Sequence, residues 1–459
     1  MERAMSEQAP MRVMRWSEMD EAAREQLLGR GNRAIFEPSL RDSVALIIED
    51  VRENGDAAVV RALAKFDGCE IAEDGLQVSD EEFAAARASV PAAVQDAIRA
   101  AISNIRAFNE YLTREREWRT ELQPGLVVGE KSTAIASVGL FVPSGKGSFP
   151  SVLVQIGTPA VVAGVPEISV VVPPLPGGQG EVDPAVLCVA QELGIKRVFR
   201  ANGPAGVAAL AFGTQSIPKV RKVLGPGSPP VQAAQIACQL YGCHTQMLLG
   251  PSEALIISDD SADPRLLAAD VLNEAEHGPD SASLLVTPSE SLIEAVQAEL
   301  AVQVAALPEP RRAYAHAALG ENGGAFIVSD LEEAADLCNW YGPEHMQIVA
   351  RDEEAVLAMI DHAGEVLLGQ QTPLSAANYM IGVPAALPTG AYARVTGGVT
   401  AETFLKKTSV AKLSGEALER MSEAVVALAE HEGFPAHAAA VRARMGETST
   451  AKTPNKEST

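Results

Sequence analysis

A chain of 459 residues is too long for one small core and is expected to fold as about two to four packed units. Its 47% hydrophobic and 21% charged residues are those of an ordinary globular protein and exclude a disordered one. With 37 basic and 60 acidic side chains the formal net charge is -23, a field that repels phosphate backbones and anionic membranes, so neither nucleic acid nor lipid is an expected partner.

Aromatic residues are scarce at 4%, and abundant Ala, Val and Leu suit helices packed closely on parallel strands. The five cysteines, Cys69, Cys188, Cys238, Cys243 and Cys338, are odd in number, scattered, and form no CxxC pair. That pattern fits a reducing cytoplasm and speaks against a disulfide framework. Cys243 adjoins His244, but chain neighbours rarely present their side chains to each other, so Cys243 is read as a packing residue. No apolar run approaches the roughly 18 residues that span a bilayer. Met1 to Glu18 carries charges of both signs without the apolar stretch of a signal peptide, and a cytoplasmic location is expected.

In chain order, Arg41 to Phe66 reads as helical, with Val44, Ile47, Ile48 and Val51 at three- and four-residue spacing and a turn at Asn54-Gly55-Asp56. Glu81 to Arg116 reads as one long alanine-rich helical stretch. Residues 1–133 are therefore expected to be mainly helical, a cap or arm and not a sheet.

At Ala134 the texture changes. Short aliphatic runs follow at Ile135–Val142, Ile168–Val172, Arg197–Arg200, Val220–Leu224, Ala254–Ile257, Ser283–Val286, Ala325–Val328, Met346–Val349 and Glu365–Leu368, most of them separated by helical stretches. This alternation predicts an α/β fold with two Rossmann-like βαβ sheets, 134–250 and 251–397, flanked by helical N-terminal and C-terminal segments. Ligands are expected beyond the carboxyl ends of the strands. Residues 398–445, with Leu418, Met421, Val425 and Leu428 on one face, predict a C-terminal helical segment, and the polar tail 446–459 is expected to be disordered.

Four segments could carry chemistry. Asp263-Pro264 predicts a helix start and Gly278-Pro279 a stop, so Glu274 and His277 fall at i and i+3 on one face. A carboxylate and an imidazole so placed can chelate a divalent ion, although taken alone the pair reads first as an exposed polar helix end. In Tyr341-Gly342-Pro343-Glu344-His345, Pro343 biases Gly342 to an extended shape just ahead of a strand. Adjacent Glu344 and His345 would then point to different sides, for two proton-transfer tasks or none. Glu432 and His437 bracket a glycine–proline break between helices. Asn378-Tyr379 leads through Gly382 to Leu387-Pro388-Thr389, by itself only a structured loop.

Taken in order, Pro251-Ser252-Glu253, Glu274–Ser281, Pro343–His345, Asn378–Thr389 and Glu432–His437 resemble the histidinol dehydrogenases. The resemblance extends to Val51–Ala58, Lys65–Gly68, Val138–Pro143, Ala208–Thr214 and Gly225–Gly227, and covers the chain apart from its tails. It implies one zinc, with manganese or cobalt as alternatives, held by Glu274, His277, Asn378 and His437. Glu274 stands where the family has Gln and Asn378 where it has Asp, an exchange that keeps one negative charge and two imidazoles. The resemblance further implies that His345 takes the proton of an alcohol as hydride leaves for NAD, and that Glu344 activates water for attack on the aldehyde. Substrate contacts are implied at Ser252, Glu274, His277, His345, Asn378, Glu432 and His437. NAD contacts are implied at Phe141, Ala205 and Ser228, where the family has Tyr, Gln and Asn.

The family's substrate-binding histidine before Leu387-Pro388-Thr389 is missing, the segment here being Pro384-Ala385-Ala386. The expected activity is accordingly the zinc-dependent, NAD-linked oxidation of another small polar primary alcohol, via the aldehyde and potentially on to the acid, by an intertwined homodimer. Three alternatives share the same residues: an authentic L-histidinol dehydrogenase, a metal-dependent hydrolase, and a catalytically silent homologue. The expected division is then 1–133 helical, 134–250 for the cofactor, 251–397 for metal and catalysis, and 398–445 contributing to the site.

Overall fold

Continuous aliphatic runs become parallel strands because they are buried on both faces, where an alternating pattern would leave polar groups inside. The computed structural model of the chain describes residues 10–29, 35, 37–144, 147, 149–246 and 250–446. Its strands, in chain order, are β1 (Val13–Arg15), β2 (Glu117–Gln123), β3 (Leu126–Ala134), β4 (Ser137–Phe141), β5 (Glu167–Val172), β6 (Arg197–Arg200), β7 (Lys222–Leu224), β8 (Glu253–Ser258), β9 (Ala282–Thr287), β10 (Gly324–Ile327), β11 (His345–Val349), β12 (Glu365–Leu368) and β13 (Leu405–Leu413). All nine aliphatic runs are among them.

Strands β4 to β7 form a sheet in the order β6-β5-β4-β7, parallel at every pairing. A second parallel sheet has the order β1-β10-β9-β8-β11-β12. The third is the small sheet β13-β3-β2, in which β2 and β3 are antiparallel. The fold is thus mixed α/β.

Two compact units divide the chain. The first, Met1–Thr113 with Ala134–Phe404, holds both parallel sheets. The second, Arg114–Thr133 with Leu405–Thr459, holds the small sheet and the helices Gly415–His431 and Pro435–Arg444. In the first unit, Phe141, Val171, Phe199 and Leu210 pack with Val44, Ile48 and Val51 of the helix Pro38–Asn54. Each fully buried aliphatic side chain stabilises by about 1.5–3 kcal/mol.

The helical expectation for 1–133 is corrected in three places. β1 pairs with β10 at the edge of the six-stranded sheet. Residues 117–134 form a hairpin, turning at Gly125 with φ +79; every residue of β2 is exposed, so no hydrophobic period announces the strand. The stretch from Glu81 to Arg116 is two helices, Asp80–Ser89 and Ala92–Leu112. Pro91 separates them by confining Val90 to an extended backbone, φ -75 and ψ 129. The segment 398–445 likewise opens with β13 before its helices. The tail expected to be disordered lies, from Glu447 on, outside the described residues. Cys243 is buried in the core, where burial pushes its thiol up to about 11, as suits a packing residue.

Candidate active site

Asp263 caps the helix Pro264–Ala275 by accepting the Arg265 amide at 2.8 Å, and this helix carries Glu274, fully buried, on its last turn. The helix closes before His277, which the i,i+3 expectation had placed on it. The imidazole nevertheless turns back: its Nδ1 lies 3.0 Å from Glu274 Oε2 and 2.9 Å from Ser252 Oγ. Asn378, in the helix Leu374–Tyr379, donates its amide to Glu274 Oε1 at 2.8 Å, and Asn273 donates to the same oxygen at 2.7 Å. Burial works against the Glu274 charge, but His277, His345 and the two amides outweigh it and hold the carboxyl below its usual range.

Gln155 braces this cluster from the four-stranded half. Its Nε2 donates to the Asn378 carbonyl at 3.4 Å and its Oε1 accepts the Ala385 amide at 3.1 Å. The Ala385 backbone is thereby held at the site, although its methyl offers no polar contact.

Glu344 and His345 do not diverge as strand neighbours would. Glu344 precedes β11, and its Oε1 comes within 3.8 Å of His345 Nε2. Its Oε2 accepts the Glu253 amide at 3.0 Å. Gly342 is not extended either: it ends the helix Leu331–Tyr341 in a left-handed conformation, φ 60 and ψ 61, which glycine alone adopts without strain. His345 Nδ1 hydrogen-bonds Glu365 Oε1 on the neighbouring strand. Burial pushes the Glu344 carboxyl well above its ordinary value. For His345 burial opposes the charged ring, but Glu274, Glu344 and Glu365 together overcome it and raise the pKa to about 10.

The position of the cluster overturns one expectation. Ser252, Ser281, His345 and Glu365 stand at the amino ends of β8, β9, β11 and β12. Across a cavity of about 850 Å3 lie Phe141, Asn202 and Ser228, at the carboxyl ends of β4, β6 and β7. The cavity is thus lined from the carboxyl ends of the four-stranded sheet and from the amino ends of the six-stranded one. Ser252, His277 and Asn378 line the cavity, with the buried Glu274 behind them.

Of the residues expected to touch NAD, Phe141 and Ser228 line this cavity, Ser228 as the N-cap of the helix Pro229–Cys238. Ala205 is in the core, 2% exposed. Glu432 and His437 belong to the second unit, exposed at the turn between its two helices, beside the half-exposed Phe434. The four expected metal ligands are thus not assembled: among the described residues, no three His, Cys, Asp or Glu side chains form a metal-holding group. Three of the four, one an amide, meet in the first unit. No helix of the described residues is long and apolar enough to cross a membrane.

Sequence reasoning missed Glu365, Gln155 and the structural part of Glu253, whose carboxylate accepts the Gly390 amide at 2.9 Å. A buried acid heading an aliphatic strand was the available signal for Glu365.

A buried Glu–His pair and a polar cluster near a cleft lined from both parallel sheets belong to an α/β fold. The histidinol dehydrogenase model matches residues 32–445, and the chain belongs to that family. It is 39% identical over 430 residues to a histidinol dehydrogenase of Methanosarcina barkeri, covering 94% of this chain and 97% of the relative. It is 40% identical over 433 residues to a histidinol dehydrogenase homolog of Colwellia psychrerythraea, covering 94% and 96%. The crystal structure of histidinol dehydrogenase from Elizabethkingia anophelis superposes with a TM-score of 0.89 at 30% identity, covering 96% of this chain and 99% of that one.

Proposed function

We propose that the chain is an NAD-linked, zinc-dependent dehydrogenase that oxidises an alcohol by way of its aldehyde. The observation that carries this reading is a cavity lined by His277 and Asn378 of the Glu274 cluster and by Phe141 and Ser228, with the buried Glu344–His345 pair close enough to Glu274 to share its field. Zinc fits the donors: Glu274 is fully buried, and among the described residues its Oε2 accepts no hydrogen bond and faces the His277 ring. Glu274, His277 and Asn378, with His437, would hold the ion, which would supply Lewis acidity toward the alcohol and offset the Glu274 charge that helps retain the His345 proton.

The steps fall to the chain's own groups. His345 accepts the alcohol proton at Nε2 as hydride leaves the carbon. Glu344, made a stronger base by burial, takes a proton from water attacking the aldehyde, which gives the hydrate for a second oxidation. The four-stranded sheet is read as the Rossmann-like cofactor platform, with Phe141 offering a ring face and Ser228 a hydroxyl at a helix start; buried Ala205 offers neither.

His437 and Glu432 are assigned to the same site, delivered by the second unit of a second copy. Their exposure and that of Phe434 support this, as does the family's habit of intertwined dimers. Coexpressed His345→Asn and His437→Ala chains should regain activity that neither has alone.

The comparisons favour L-histidinol as the substrate, since relatives of that name match nearly end to end. The apolar Ala385 favours the second reading, a different polar alcohol. Cofactor reduction across a panel of primary alcohols including L-histidinol, with and without chelator, tests both. Cleavage of an ester or amide panel without cofactor reduction would favour the hydrolase instead, and no turnover on either panel the silent homologue.

A further inference from the structure

We infer that Glu365 is a positioning residue for His345, holding the ring proton on Nδ1 so that Nε2 is left to accept one. The inference rests on the dehydrogenase reading for the reaction it serves, but not for the ring state itself. His345 and Glu365 open β11 and β12 and are direct register partners in that parallel pair. Two backbone bonds fix the approach, Gly364 amide to Pro343 carbonyl at 2.9 Å and Glu365 amide to Glu344 carbonyl at 3.2 Å. Gly364 permits it, because a Cβ there would sit 2.4 Å from the Glu344 carbonyl oxygen.

The Glu365 side chain is buried, and its Oε1 meets His345 Nδ1. Its Oε2 has no hydrogen-bond partner among the described residues. A buried carboxylate is unfavourable unless paired, and the imidazole is what pairs this one. On the far side of the ring, Nε2 stands 3.8 Å from Glu344 Oε1, beyond hydrogen-bond range, so among the described residues the ring is tethered through Nδ1. A carboxylate on one ring nitrogen sets the tautomer presented by the other. An amide in its place can donate to Nδ1, which leaves Nε2 protonated and unable to act as a base.

The test is the ¹⁵N spectrum of the His345 ring in the intact chain, assigned by its loss in His345→Asn, together with steady-state kinetics. Spectra are taken at a pH high enough to leave the ring neutral in both proteins; there the ring should be protonated at Nδ1 in the parent and show the other tautomer in Glu365→Gln. In that variant kcat should fall on the order of 10²–10⁴-fold while KM for alcohol and cofactor holds within about threefold. Glu365→Asp, which keeps the carboxylate, should restore the Nδ1 tautomer and much of kcat, and decides the matter if the Gln variant does not fold. An unchanged ring spectrum in Glu365→Gln would overturn the inference. So would a loss of kcat that Glu365→Asp fails to restore and that follows the melting temperature. If the parent oxidises no alcohol, the dehydrogenase reading falls, and the ring spectrum still decides the role of Glu365.

Discussion

Asn378 donates its side-chain amide to the buried Glu274 carboxylate over 2.8 Å, although 104 residues separate the two in sequence. The pair explains how an acid can occupy the end of one helix and an amide the short helix Leu374–Tyr379. One negative charge remains, and the amide donates to it. Two carboxylates at this separation would repel, and two amides would leave His277 without a counter-charge.

The pair predicts a reciprocal swap. Glu274→Gln alone should strip the chain of stoichiometric metal, because the charge is gone. Asn378→Asp alone should lower the melting temperature of metal-free protein, setting two acids together in a buried site. Glu274→Gln with Asn378→Asp should recover metal binding, read by elemental analysis after dialysis. A double variant as metal-poor as Glu274→Gln would show that these side chains are not ligands.

What the sequence displays depends on which signal is local. Runs such as Ile168–Val172 are legible because burial on both faces demands continuous aliphatics. β2 carries Glu117, Arg119 and Glu121 in the open and offers no such pattern. His277 and Glu274 are legible as near neighbours, even though the helix ends earlier than their spacing suggests. Glu365 is not, because its partner is set by the register of β12 on β11, which neither segment states. The amino-end location of the site is hidden for the same reason: it follows from how two sheets face one cavity.

Glu344 and His345 should separate kinetically. His345→Asn should slow the first hydride transfer by about 10²–10⁴-fold, the usual loss for a general base. Glu344→Gln should spare alcohol-to-aldehyde conversion more than aldehyde-to-acid conversion. Supplying the aldehyde directly and following reduced cofactor distinguishes the two steps. Equal losses on both substrates in Glu344→Gln would remove its water-activating role.

Ala385 should limit histidinol. Its amide is fixed by Gln155, so the backbone is already in place and only the side chain is wanting. Ala385→His should raise kcat/KM for L-histidinol, by about tenfold if the imidazole recovers a typical hydrogen bond of about 1.4 kcal/mol. Efficient histidinol oxidation by the parent chain, with no gain in the variant, would identify L-histidinol as its own substrate.

Lys222, the first residue of β7, gives a pH dependence of its own. The side chain is 8% exposed, donates to the Thr403 carbonyl and, at 2.9 Å, to Gln246 Oε1, and burial lowers its pKa to about 8. In the unfolded chain a lysine titrates near 10.4. Between those values the unfolded state binds the proton that the folded state has released, so stability rises with pH across the window. The rise should be on the order of 2 kcal/mol from pH 8 to pH 10, before other groups add their own slopes. Lys222→Met keeps the length of the side chain and has no proton to lose, so its stability should lack this rise while sharing every other slope. Urea unfolding of both proteins at a series of pH values measures the difference. Parallel curves would mean that the folded lysine keeps its proton, with the Thr403 carbonyl and the Gln246 amide compensating fully for the lost water.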